Sequence, residues 1–297
     1  MASKRKNDMS LKEVIALITL LDDPDDLIFT QVKDRFMILG PPAIPHLETA
    51  WENSFDAIMQ KRIETIIHDI NFEAIKKGLK EWSKNDQDDL LKGILILSHY
   101  QYPGFDEQKI KKQLGQIKQD VWLELHDDLT ALEKVKIINH ILFEVHNFSG
   151  NITNYHAPQN SFLNNVLETK KGNPLMLSVV YSLICKELNI PIYGINLPQH
   201  FVLAYVNDFT NLFDANHKTF SDNILFYINP FSKGLIFNQK DIDNFLKQLN
   251  LEPENKYYLP CSNAEILKRC INNLIFSYEK LGYSDKVTEL KQLENQV

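Results

Sequence analysis

Along the first 145 residues the apolar positions recur at three- and four-residue spacing, one helical stripe after another. Leu11, Val14, Ile15, Ile18 and Leu21 form the first stripe, which Asp22-Asp23-Pro24-Asp25 breaks. Val32, Phe36 and Leu39 form a second, ended by Gly40-Pro41-Pro42. Ile44, Leu47 and Trp51 begin a third, Ile63, Ile66, Ile67 and Ile70 a fourth, and Ile75, Leu79 and Trp82 a fifth. Leu90 to Leu97, then Ile110, Leu114, Ile117 and Val121, continue the series. The pattern predicts an all-helical region over residues 1–127 with no strand of four or more residues. Its turn at Leu39 to Leu47 resembles the inter-helix turn of a HEAT repeat, so a helical-repeat array and an irregular bundle both remain open.

From residue 128 the texture changes. Leu132, Val135, Ile138 and Leu142 mark one more amphipathic helix, followed by loop-like Phe148 to Pro158 and a short helix from Phe162 to Leu167. Gly172-Asn173-Pro174 opens a strongly apolar helix, Leu175 to Leu188. Strand signals follow at Ile192 to Ile195, Phe201 to Val206, Leu225 to Ile228 and Leu235 to Phe237. A buried helix feeding an antiparallel sheet predicts an α+β domain over residues 128–255. Residues 256–297 read as a helical hairpin. Ser262 to Glu265 is a capping box, Leu267, Ile271, Leu274, Tyr278 and Leu281 make a stripe stopped at Gly282, and Val287, Leu290 and Leu293 make a final helix. The pair could form one tetratricopeptide-like unit, but a single pair shows no array, and a plain hairpin is the simpler reading. The fold class is therefore α+β, mostly helical.

Charge and composition narrow the function. A net charge of −7 repels phosphate backbones and argues against nucleic acid as a partner. No run approaches the ~20 apolar residues of a membrane span, and the first apolar stripe lacks a cleavage site, so we expect a cytoplasmic protein with no membrane partner. Three scattered cysteines, Cys185, Cys261 and Cys270, form neither a disulfide framework nor a zinc site, and Cys185 and Cys270 fall on apolar stripes. The nine histidines include no HExxH, and the chain carries no phosphate-binding glycine motif and no EF-hand, so neither metal nor cofactor is expected.

Residues 147–203 carry a more specific progression. They read Asn147-Phe148-Ser149-Gly150-Asn151, Asn154-Tyr155, Pro158-Gln159-Asn160-Ser161-Phe162-Leu163, Val166-Leu167, Gly172-Asn173-Pro174 and Pro198-Gln199-His200-Phe201. In order and spacing this resembles the transglutaminase-like domain of the SirB family, whose progression ends in Pro-Gly-His-Phe and whose members often carry helical repeats. The resemblance implies a papain-like central helix packed on an antiparallel sheet. It also implies a site in which a cysteine at the helix N-terminus works with a histidine on the next strand and an orienting Asp or Asn. A helix N-terminus lowers a thiol's pKa, the histidine handles the proton and the third residue orients the ring. Carried over residue by residue, the cysteine position falls on Pro174, which has no nucleophile; proline is the usual residue here in the SirB branch. The histidine falls on His200. The third position falls on Asn229, in Asn229-Pro230-Phe231, with Asp214 as a competitor inside the polar stretch from Asn207 to Asn223.

Two functions follow. The first is a catalytically degenerate protein that binds or scaffolds a protein partner. The second is a hydrolase or acyl-transfer enzyme using His200 with Asn229 or Asp214 and an unrecognised nucleophile. Ser178 is the nearest hydroxyl within the helix, though a serine there usually bonds back to a carbonyl. For the remnant site we expect His200 and Asn229 on neighbouring strands, within hydrogen-bonding reach, facing the helix start near Pro174.

Overall fold

The computed structural model describes residues 11–207 and 223–297. Asp214 lies outside the described residues. The fold is mostly helical α+β, and the chain divides into two compact units. The first takes the chain up to Gly78 together with His99–Pro103; the second takes Leu79–Ser98 and everything from Gly104 onward.

The first unit is built from α1 (Leu11–Thr19), α2 (Asp26–Leu39), α3 (Ile44–Asn53) and the start of α4 (Ala57–Asn85). Asp25 caps α2 by accepting from the Leu27 N–H at 2.8 Å. Gly40 ends it at φ +69°, with its N–H bonded to the Phe36 carbonyl at 2.9 Å, and Pro41–Ala43 make a single 3₁₀ turn into α3. Val14, Val32, Phe36, Leu47, Ile63, Ile66 and Ile70 meet in one core. The fourth and fifth stripes of the sequence belong to one helix of 29 residues, not two. Between Ile70 and Ile75 stand Asn71, Phe72, Glu73 and Ala74, none of which breaks a helix. Among the described residues up to 127 every regular element is helical.

The second unit contains α5 (Leu90–Ser98), α6 (Glu107–Glu124) and α7 (Ala131–Asn139), which runs on into a π turn at His140–Val145. Next come β1 (Ser149–Gly150), a 3₁₀ turn at Pro158–Ser161, α8 (Leu163–Thr169), β2 (Lys171–Gly172) and α9 (Pro174–Glu187). The antiparallel sheet β3 (Ile192–Ile195), β4 (Val202–Val206), β5 (Ile224–Asn229) and β6 (Leu235–Phe237) is a simple meander, each strand paired with the next. α10 (Gln239–Gln248), α11 (Asn263–Leu281) and α12 (Ser284–Glu294) complete it.

α9 is buried almost all round, which explains its unbroken apolar run. It packs against β3 and β4. β4 is buried at all five positions because α9 and a second apolar layer, including Ile242 and Leu246 of α10, both need its side chains. Tyr181 on α9 donates to Asn139 Oδ1 at 3.1 Å, and Asn139 Nδ2 donates to the Gly234 carbonyl at 2.9 Å. These two bonds tie the central helix to the turn between β5 and β6.

Candidate functional site

The start of α9 is fixed by its preceding loop. Asn173 is extended at φ −81°, ψ 170°, and Pro174 takes the first helical position, where a missing N–H costs nothing. Asn173 Oδ1 accepts from the Met176 N–H at 2.8 Å, while its Nδ2 donates to the Ser161 hydroxyl at 2.8 Å. Asn160, buried beside it, donates through Nδ2 to the carbonyls of Asn154 and Tyr155 at 2.7 and 3.1 Å, and accepts from Asn151 Nδ2 at 2.9 Å. The two-residue parallel pair of β1 with β2 closes the loop from below. Phe231 covers Gly150 so closely that a Cβ there would stand 2.5 Å from its ring. The asparagines and glycines of the sequence progression thus build the floor under the helix start.

His200 comes from the other side. It does not lie on a strand, as the sequence suggested, but in the turn before β4, with its N–H bonded to the Leu197 carbonyl at 3.3 Å. The reason is local: Gln199 adopts a left-handed φ of +57°, which ends extended pairing until Val202. A glycine here would take that conformation without strain. Burial holds the His200 ring below its ordinary pKa, and the nearby Arg269 adds to the effect. Asn229, placed as its side-chain hydrogen-bond partner, opposes it. A ring held below its ordinary value is neutral at pH 7.

Asn229 ends β5 and caps the 3₁₀ turn at Pro230–Ser232. Its Oδ1 accepts from the N–H groups of Phe231 and Ser232 at 3.1 and 3.3 Å, and its Nδ2 donates to Ser232 Oγ at 3.2 Å. One amide therefore shapes the turn and faces the histidine.

Pro174 and His200 line one cleft of about 700 Å³, together with Ser161, Asn173 and Gln199. Tyr155 and His156 on the loop and Arg269, Asn272, Asn273 and Phe276 on α11 form its other wall. Ser178 is fully buried inside α9 and its hydroxyl donates to the Pro174 carbonyl at 2.8 Å. Cys185 is buried two turns further along, and burial pushes its thiol far up. Burial also raises Cys261 and Cys270, each to about 12. None of the three cysteines lines the cleft. Among the described residues no three His, Cys, Asp or Glu side chains gather to hold a metal ion.

Ser161 and Arg269 line the cleft without being marked as site residues by any sequence pattern. Ser161 sits inside a quoted motif, but nothing in the motif says that its hydroxyl faces a cleft. Arg269 gave no signal at all, because it stands some 70 residues from His200 and reads as one polar position in an amphipathic helix.

The domain model for the transglutaminase-like superfamily matches residues 108–272. Among curated proteins, a UPF0162 protein of Xylella fastidiosa (strain 9a5c) is 29% identical over 218 residues, 70% of this chain and 73% of that protein. F-box only protein 21 of Mus musculus is 25% identical over 156 residues, which are 52% of this chain but 23% of that protein. A UPF0162 protein of Vibrio cholerae is 23% identical over 161 residues, 54% of each chain. No solved structure matches.

Proposed function

We propose that this chain, which belongs to the transglutaminase-like superfamily, is a catalytically degenerate member that binds a protein partner through the cleft at the start of α9. The observation that carries the reading is Pro174. It occupies the helix N-terminus beside a neutral histidine, the place where a thiolate would gain most from the helix dipole and from the ring. Proline supplies neither a nucleophile nor a backbone donor. What remains is a cleft with polar and aromatic walls, suited to holding a group rather than transforming it. The similarity to F-box only protein 21 over 52% of this chain supports a partner-facing role. Within the superfamily we place the chain in the SirB branch, on the progression from Asn147 to Phe201 and on the proline itself. We further read the helices up to residue 127 as a HEAT-like flank, the hairpin from residue 256 as a cap on the central domain, and the protein as cytoplasmic.

A second reading, hydrolysis or acyl transfer with His200 as base, draws support from one feature: the Ser161 hydroxyl shares the cleft with His200. Intact mass after incubation with a fluorophosphonate and with iodoacetamide at pH 7 separates the two. The binding reading expects no stoichiometric adduct on the folded protein. A single adduct on Ser161 that His200→Ala abolishes would establish the enzyme instead.

A further inference from the structure

Arg269 is a half-buried cation whose charge is not answered. It projects from α11 into the cleft, and its Nη1 donates to Asn196 Oδ1 at 3.0 Å and to the Leu197 carbonyl at 3.4 Å. Both acceptors are neutral. Among the described residues no carboxylate forms an ion pair with Arg269, and Glu265, one turn earlier on the same helix, is engaged in the capping box with Ser262. The two bonds hold the guanidinium in place and leave its Nε and second Nη unused among the described residues. Burial lowers Arg269 from its ordinary value, as expected for a cation taken from water without a counter-charge. In a chain of net charge −7, a fixed positive group in a cleft is a local exception.

The rest of the wall adds a second requirement. Phe276 stands seven residues after Arg269, on the same face and about 10 Å further along the helix axis. It is 47% exposed, meets the His156 ring edge-on at 5.3 Å between centroids, and carries the Lys280 ammonium over its ring at 4.6 Å, a surface cation that an incoming side chain displaces. His156 in turn meets Tyr155 at 5.1 Å. Between Arg269 and the aromatic group lies Asn273, whose side-chain amide is unbonded among the described residues and lines the same cleft. A cation, an amide and an aromatic face in a row of about 10 Å match about three residues of extended peptide.

We propose that this cleft binds an extended peptide segment by a carboxylate on Arg269, with a planar or apolar side chain two to three residues upstream seated on His156 and Phe276. The inference rests on the binding-module reading and names the chemistry of the partner. The carboxylate comes either from a chain terminus or from an Asp or Glu side chain; planar bidentate pairing with guanidinium serves both.

Three peptides decide it on the full chain by calorimetric or NMR titration. They are N-acetyl-phenylalanyl-alanyl-alanine as the free acid, the same peptide amidated, and N-acetyl-phenylalanyl-alanyl-glutamic acid α-amide. At least one of the two acids should bind about tenfold or more tighter than the neutral amide. The tighter of them identifies the source of the carboxylate. Arg269→Gln should erase the preference while sparing binding of the neutral peptide, and Arg269→Lys should keep part of it. Phe276→Ala should weaken all three alike. Should Arg269→Gln fold poorly, the wild-type salt dependence serves instead, since the preference must shrink as salt rises. Equal affinity for all three peptides, no binding at millimolar concentration, or a salt-independent preference overturns the proposal. A covalent adduct with the electrophiles above would sink the degenerate-module reading but leave the carboxylate preference measurable. Loss of the preference with no adduct sinks this inference alone.

Discussion

Asn173 donates to the Ser161 hydroxyl at 2.8 Å in the buried floor of the cleft, and with its other side-chain atom it caps the helix that Pro174 begins. The same residue thus starts α9 and fastens the 3₁₀ turn at Pro158–Ser161 beside it. Asn173→Ala removes a cap worth about 1 kcal/mol and strands buried polar groups at a further cost of about 1–2 kcal/mol. We expect a loss near ~2–3 kcal/mol in chemical denaturation. Asn173→Ser, which keeps a capping oxygen, should lose about half of that. Equal losses for the two variants would show that the cap contributes nothing.

Two helical glycines should respond oppositely to alanine. At Gly93 on α5 a Cβ would stand 2.8 Å from the Trp82 ring, and that ring is pinned because its Nε1 donates to the Asp89 carbonyl at 2.7 Å. Overpacking against a fixed ring should cost ~1–3 kcal/mol in spite of the better helix propensity. At Gly115 on α6 nothing lies within 4 Å, so Gly115→Ala should gain about 0.5–1 kcal/mol. Denaturation midpoints for the two variants are the check, and a stabilised Gly93→Ala would contradict the packing.

His200 gives a pH dependence of definite sign. Its folded pKa lies below the ordinary 6.5 because burial, with help from Arg269, disfavours the charged ring. Below about 6.5 the unfolded chain therefore binds the proton first. The stability contributed by this group is present above that pH and is lost as pH falls through the folded value. His200→Gln should flatten the decline in stability between pH 7.5 and 5. In an NMR titration of the wild-type ring, Asn229→Ala should push the pKa lower still, because Asn229 is the partner that favours protonation. A ring titrating at or above 6.5 would contradict the burial.

Much of the architecture was legible because burial writes itself into periodicity. Phe36, Leu47, Ile66, Leu114, Val135, Leu267 and Leu274 fall on predicted stripes and are buried. The four strands of the sheet lie within a residue or two of the predicted segments. α10 was missed although its signal is present: Ile242, Phe245, Leu246 and Leu249 keep helical spacing behind a capping box of Asn238 and Asp241. β1 and β2 are two residues each and carry no alternation. Pro174 and His200 could be named from the motif, and they do share a cleft. The turn geometry of His200 could not be read, since Gln199 gives no outward sign of its left-handed backbone. Arg269 and Phe276 were hidden for a different reason: their meeting with His200 depends on how α11 packs, which no local pattern encodes.

The most direct test restores what the helix start lacks. In Pro174→Cys a thiol is placed at the N-terminus of α9, opposite a neutral His200. Helix dipole and imidazole together should hold its pKa below the ordinary ~8.5, enough to raise the thiolate fraction at pH 7 about tenfold or more. The rate of iodoacetamide alkylation at pH 7 in the folded protein, followed by intact mass, reads this out. The account predicts one fast-reacting thiol in Pro174→Cys, slowed by adding His200→Ala, and none in the wild type. Alkylation of the new cysteine no faster than that of Cys185, Cys261 and Cys270, or a fast rate indifferent to His200, would contradict it.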